Sequence, residues 1–133
     1  MAVYVTDTHP LIWYVTDKHR RLPLKVLRAF QSASRGEALI WIPAMVIWEA
    51  GLLHRNGRVQ FRPTFRQWVE GVIAQPGFAL APMTAEVIHL SLECSPNSDI
   101  FDVSIVATAR DKDLPLMTKD QAIVESEAVQ VFW

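Results

Sequence analysis

The chain has 133 residues, 50% of them apolar, which suits one domain with one core. Its 13 Lys and Arg nearly cancel its 14 Asp and Glu, which excludes a long-range positive field as the means of drawing in a polyanion; any nucleic-acid site must be local. The lone cysteine, Cys94, excludes an internal disulfide framework and a cysteine-based zinc site, and no apolar run approaches the ~20 residues that span a bilayer.

Met1 to Thr6 is short, apolar and β-branched, the pattern of a buried strand, and it ends at Asp7. Pro10 falls in the first turn of a short helix that carries Leu11 to Val15, and a second helix runs from Pro23 to about Ser34. Gly36 punctuates the chain before a second strand, Ala38 to Ile42, which stops at Pro43. The helix after it carries Met45, Val46, Glu49, Leu52 and Leu53 and ends near Gly57. Thr64 caps a helix with Phe65, Trp68, Val69, Val72 and Ile73 on one face, and Pro76-Gly77 leads into a third strand, Phe78 to Ala81. Thr84 caps a helix with Val87, Ile88 and Leu92, and Ser95 to Ser98 forms a loop. Asp99 caps the helix Ile100 to Arg110; Leu114 to Met117 is a fourth strand, Asp120 to about Glu125 a short helix, and Val129 to Trp133 a last strand.

Strands and helices thus alternate, which predicts an α/β fold: a three-layer α/β/α sandwich around a parallel sheet of about five strands, with residues 1–133 as a single domain. Asp7 interrupts the apolar start too early for a signal peptide, so a cytoplasmic protein is expected, with Cys94 a small core hydrophobe.

On this arrangement Asp7 and Asp120 stand just past strand ends, at the edge where open α/β sheets bind ligands, and Asp99 and Asp102 open a helix at the same edge. Aspartate is also a favoured helix cap, which accounts equally well for Asp7, Asp99 and Asp120 taken singly, and Asp102 suits a capping box. Glu49 is more informative, because its neighbours at helical spacing are all apolar and no basic residue within a turn offers it a partner. Its alternative is a boundary position with the head group reaching solvent.

Several carboxylates converging on one point repel one another, and a hard divalent cation removes that penalty. Oxygen-only ligands favour Mg²⁺, or Mn²⁺, over zinc, and a water activated by such an ion can attack a phosphodiester.

The segment Val5-Thr6-Asp7-Thr8-His9 with Leu11-Ile12-Trp13 resembles the opening of bacterial PIN-domain proteins of the VapC toxin type. Ile47-Trp48-Glu49-Ala50, Asp99-Ile100-Phe101-Asp102 with Ile105 to Ala109, and Leu116-Met117-Thr118-Lys119-Asp120 resemble the family's later motifs, in its order and over essentially the whole chain. Two positions depart from the pattern: Ile100 stands where many relatives have proline, and Val103 where many have arginine. The resemblance implies a five-stranded parallel sandwich, Mg²⁺-dependent endoribonuclease activity, a homodimer, and inhibition by a VapB-type antitoxin. It further implies Asp7, Glu49, Asp102 and Asp120 as the catalytic metal-binding acids, Asp99 as an additional acid, and Thr8 and Thr118 as hydrogen-bond donors behind them.

His9, close to Asp7, is a candidate substrate contact, and Arg55, Arg58, Arg62 and Arg66, with Lys18, Arg20 and Arg21 near the first helix, are candidate RNA phosphate contacts if they flank the acidic edge; solvated helix ends are the plainer alternative for these basic residues. Trp13, Trp48 and Trp68 are expected in core or interface packing rather than stacking on bases. Three rival functions share parts of this pattern. A structure-selective DNA nuclease would use the same metal chemistry. A phosphoacceptor receiver domain needs paired acids after its first strand, where Asp7 stands alone, and an aspartate-nucleophile phosphatase wants an acid where His9 stands.

Overall fold

The strand Ala2–Thr6 (β1) lies inside a parallel sheet between Ala38–Pro43 (β2) and Leu116–Met117 (β4), with Phe78–Ala81 (β3) outside β2, in the order β3-β2-β1-β4. The register pairs Tyr4 with Ile40, Ile40 with Phe78, and Val5 with Leu116. The computed structural model describes residues 1–93 and 96–133, so the expectations for Cys94 and for Ser95 lie outside the described residues.

Helices fill the crossovers: Thr8–Val15 (α1), Leu24–Ser34 (α2), Ala44–Arg55 (α3), Phe65–Ile73 (α4), Ala85–Glu93 (α5), Ile100–Lys112 (α6) and Gln121–Ser126 (α7), with a 3₁₀ turn at His19–Arg21. Local chemistry sets their starts. Thr64 and Thr84 accept the backbone N–H of Gln67 (3.1 Å) and Val87 (3.2 Å), as expected of caps. Pro23 and Pro43 stand immediately before α2 and α3 with extended ψ angles and no side-chain cap. None of these helices, among the described residues, is long and apolar enough to cross a membrane.

The sheet has four strands among the described residues rather than about five, and β4 begins at Leu116, not Leu114. The reason lies at the end of α6, where Asp113 adopts the left-handed conformation and the N–H of Leu114 turns back to the carbonyl of Ala109 (3.0 Å). Leu114 is thereby consumed in closing the helix, and Pro115, with no N–H, offers β1 only its carbonyl, which accepts from Val5 (3.0 Å), so the strand itself starts at Leu116. With β4 so short, the predicted last strand is reduced to one parallel bridge, Leu116 to Val131, with Leu116 N–H donating to Gln130 (2.8 Å) and Phe132 N–H to Leu116 (2.9 Å).

Val5, Ile40, Ile42, Leu116 and Met117 from the sheet pack with Leu11, Phe30, Val46, Ile105 and Ile123 in the core. Within α6, residues Ser104 to Ala109 are all buried, so this helix is covered on every side. Its two buried hydroxyls are satisfied locally, Ser104 donating to Ile100 O (2.8 Å) and Thr108 to Ser104 O (2.8 Å). A helix packed this completely holds its first turn, and the acids there, in a fixed place.

Candidate active site

Every crossover from a parallel strand starts at the same edge of the sheet, and here that edge carries the acids. Asp7 follows β1, Asp120 follows β4, Glu49 projects from the helix that follows β2, and Asp99 and Asp102 stand at the start of α6. All five line one pocket of about 500 Å³. His9, Pro10, Trp13, Lys119 and Gln121 complete its wall.

Asp7 is the deepest, 7% exposed. One of its oxygens accepts the Thr8 N–H (2.7 Å) as the cap of α1, and the other accepts the hydroxyl of the buried Thr118 (2.7 Å). Thr118 in turn accepts the backbone N–H of Asp120 (3.0 Å), so one hydroxyl ties the two strand-end acids together. Thr8 donates its hydroxyl to Glu49, which is half-buried and has its carboxylate in the pocket. Asp102 accepts the side-chain amide of Asn97 (2.9 Å). Asp99 caps α6 through the N–H groups of Phe101 (2.8 Å) and Asp102 (3.2 Å), and Asp120 caps α7 through Ile123 (3.0 Å). Capping and ligand binding are therefore not alternatives, because each carboxylate oxygen has a second lone pair to offer the pocket.

Burial pushes the carboxyl of Asp7 above the ordinary aspartate range; the hydrogen bonds from Thr118 and Thr8 oppose it, the charge of Glu49 adds to it, and His9 lowers it. Burial likewise raises Glu49, against the Thr8 hydrogen bond and the nearby His9, with Asp102 and Asp99 adding repulsion. Asp102 is pushed up to about 6, chiefly by burial, with Asn97 opposing and Asp120, Asp7 and Asp99 adding repulsion. The pocket holds more negative charge than its surroundings neutralise.

That imbalance, with an all-oxygen donor set, fits a hard divalent cation, and Asp7, Glu49, Asp99, Asp102 and Asp120 are the residues placed to hold one. Among the described residues no three His, Cys, Asp or Glu side chains are already drawn together closely enough to hold an ion. A hard cation held by one or two carboxylates, with waters filling its other positions, suits this spacing better than an all-protein cage.

The raised carboxyls have a measurable consequence. Asp102 in the folded chain protonates near 6 and in the unfolded chain near 3.8, so between these values the folded state binds more protons and loses stability as pH rises. Its ionised form is destabilising above about pH 6 and without effect below about pH 4. Because the group is half-exposed, screening leaves on the order of 1 kcal/mol, or about 3–5 °C of melting temperature. In EDTA, Asp102→Asn is expected to melt that much higher than wild type at about pH 7 and level with it at about pH 4. An increment independent of pH would mean that the carboxylate is not the source.

Thr118→Val removes what is, among the described residues, the one side-chain donor to Asp7, while filling the same space. Metal affinity, read by calorimetric titration, is expected to fall about 10–100-fold.

Several expectations from the sequence meet here and others do not. Asp7, Glu49, Asp99, Asp102, Asp120 and His9 share the pocket, and Thr8 and Thr118 donate hydrogen bonds to Glu49 and Asp7. Arg55 and Arg58 do not line it: both are exposed, one in the last turn of α3 and the other just beyond that helix. Lys119 and Asn97 went unrecognised. Lys119 adjoins Asp120 in sequence, a signal that was available; the reach of Asn97 back to Asp102 depends on the loop's conformation. Trp13 is a core residue, as expected, and also forms part of the pocket wall. Trp48, expected in core or interface packing, is 61% exposed and so lies outside the core, with its ring 6.2 Å from that of Phe101 between centroids.

A family model for the PIN domain matches residues 4–127, and the chain belongs to the PIN-domain family. Members are generally nucleases and typically use divalent metals. The fold is similar to that of VapBC2 from Rickettsia felis bound to a DNA fragment from their promoter, with a TM-score of 0.69 at 11% identity over 98% of this chain and 97% of that one. It is similar also to FitAcB from Neisseria gonorrhoeae, with a TM-score of 0.61 at 16% identity over 98% and 96%. No curated protein sequence matches the chain.

Proposed function

We propose that this protein is a Mg²⁺-dependent endoribonuclease, with Mn²⁺ able to substitute, and that it acts in the cytoplasm as the VapC-type toxin of a toxin–antitoxin pair. The observation that carries the reading is the gathering of Asp7, Glu49, Asp99, Asp102 and Asp120 around one pocket at the C-terminal edge of the parallel sheet. Family membership supports a nuclease, and the likeness to the VapBC2 and FitAcB structures supports a VapB-type antitoxin as partner. A homodimer is supported by the apolar groups left at the surface of α3 and α6, Trp48 at 61% and Ile100 at 66% exposure.

When bound, a divalent cation supplies Lewis acidity that acidifies a water and neutralises charge on the phosphate. The chain's own part is to hold the ligands still. Thr118 and Thr8 fix Asp7 and Glu49 from behind, and Asn97 fixes Asp102. His9 stands in the pocket wall beside Trp13, 5.8 Å between ring centroids, within reach of a substrate in the pocket. Asp99, the exposed acid of the five, adds to the repulsion of a polyanion, and a bound cation lessens it, so metal strengthens RNA binding without being required for it.

The test is incubation of antitoxin-free protein with structured RNAs and, separately, with DNA, in Mg²⁺ or Mn²⁺ against EDTA. RNA cuts that disappear in EDTA are expected. Cleavage of DNA alone would transfer the same site to a structure-selective DNA nuclease.

A further inference from the structure

We propose that Lys119, Trp13 and Arg21 form a track for the RNA backbone as it leaves the carboxylate pocket, with Lys119 binding a phosphate at the rim and Arg21 binding one further along the strand. The inference rests on the ribonuclease reading and adds to it the path of the substrate.

A pocket walled by five acids repels RNA, and the chain's net charge of −1 provides no general attraction. Positive charge must therefore be delivered at the site itself. Lys119 is the one Lys or Arg in the pocket wall among the described residues. Although acids surround it, it enters no ion pair among the described residues. Its ammonium instead stands 5.0 Å from the centroid of the Trp13 ring.

The same ring carries a second cation, the guanidinium of Arg21, at 5.6 Å. Arg21 is exposed and ends the basic 3₁₀ turn His19–Arg21, next to Lys18. Trp13 itself cannot swing away: it is 7% exposed, belongs to the core, and meets the edge of Trp133 at 6.3 Å. One rigid indole thus gathers two cations and biases both towards its ring before substrate arrives, which lowers the entropy cost of binding. Several other cations are engaged elsewhere. Arg35 and Arg66 pair with Glu37 (3.1 Å) and Glu70 (3.2 Å), and Lys112 lies 3.7 Å from the centroid of the Trp41 ring.

The experiment measures binding of a fluorescein-labelled, mixed-sequence single-stranded RNA of about 12 nucleotides by anisotropy in EDTA, over a series of salt concentrations. Wild type is compared with Lys119→Gln, Arg21→Gln and the double variant. Arg35→Gln controls for the loss of one charge, and Lys119→Arg and Arg21→Lys test retention of the cation. Each Gln variant is expected to weaken binding about 5–10-fold and to flatten the dependence of log Kd on log salt by about 0.7, with both effects adding in the double variant. The charge-retaining variants and Arg35→Gln are expected to stay within about twofold of wild type. Unchanged affinity and slope in the double variant overturn the track, whether or not wild type cleaves RNA in Mg²⁺. A wild type that cleaves RNA in that case leaves the ribonuclease standing without the track. A wild type that neither binds nor cleaves RNA removes both. Melting curves separate lost contacts from a disturbed Trp13, since equal loss of binding in the charge-retaining variants would point to packing and also overturn the proposal.

Discussion

Asp7→Asn and Asp102→Asn, made singly, are each expected to lower metal-dependent RNA cleavage by about a thousandfold or more while the protein remains folded. The size follows from what a ligand to a catalytic cation contributes: several kcal/mol of charge stabilisation in the transition state, each ~1.36 kcal/mol being tenfold in rate. Survival of the fold follows from the local hydrogen bonds. In the Asp7→Asn variant the side-chain oxygen still accepts the Thr8 N–H, and the new amide turns towards Thr118, whose hydroxyl accepts that hydrogen as well as the N–H of Asp120. The substitutions also remove charge from groups that burial already disfavours as anions. Cleavage assays with circular dichroism decide the matter, and retained activity in both variants would end the assignment of these acids.

The second large effect concerns stability. Gly77→Ala is expected to cost about 3 kcal/mol or more, read as a lower urea midpoint with unchanged slope. A Cβ at this position would lie 2.1 Å from the carbonyl oxygen of Ala33 and 2.5 Å from that of Ala38, both backbone atoms that no rotamer change can move. The end of α2 and the start of β2 approach the turn before β3 so closely that only a hydrogen fits. Gly71→Ala, on α4 with nothing within 4 Å of the added methyl, serves as the control and is expected to be neutral or slightly stabilising.

Much of this arrangement was legible because it depends on short-range chemistry. Thr64, Thr84 and Asp99 cap their helices because a hydroxyl or carboxylate reaches an N–H two or three residues on, whatever surrounds it. Glu49 was legible as an inward acid because helical spacing put apolar neighbours around it, and Asp7 and Asp120 because parallel strands share an edge. The rest turned on distances that no local pattern encodes. The loss of a fifth strand follows from a left-handed Asp113 that commits Leu114 to the helix end. Arg55 and Arg58 were assigned by their charge, but α3 carries Arg55 away from the face that Glu49 presents, and Arg58 lies beyond the helix end. Lys119 over Trp13 joins side chains from opposite ends of the chain.

The hydrogen bond between Thr118 and Asp7 joins residues 111 positions apart, and β1, laid down before the other strands, gains its β4 neighbour only near the end. On a ribosome adding about 5–20 residues each second, several seconds separate the synthesis of Asp7 from that of the hydroxyl that sets it and of Asp120. The carboxylate site is therefore complete only once Asp120 has emerged, long after its first acid.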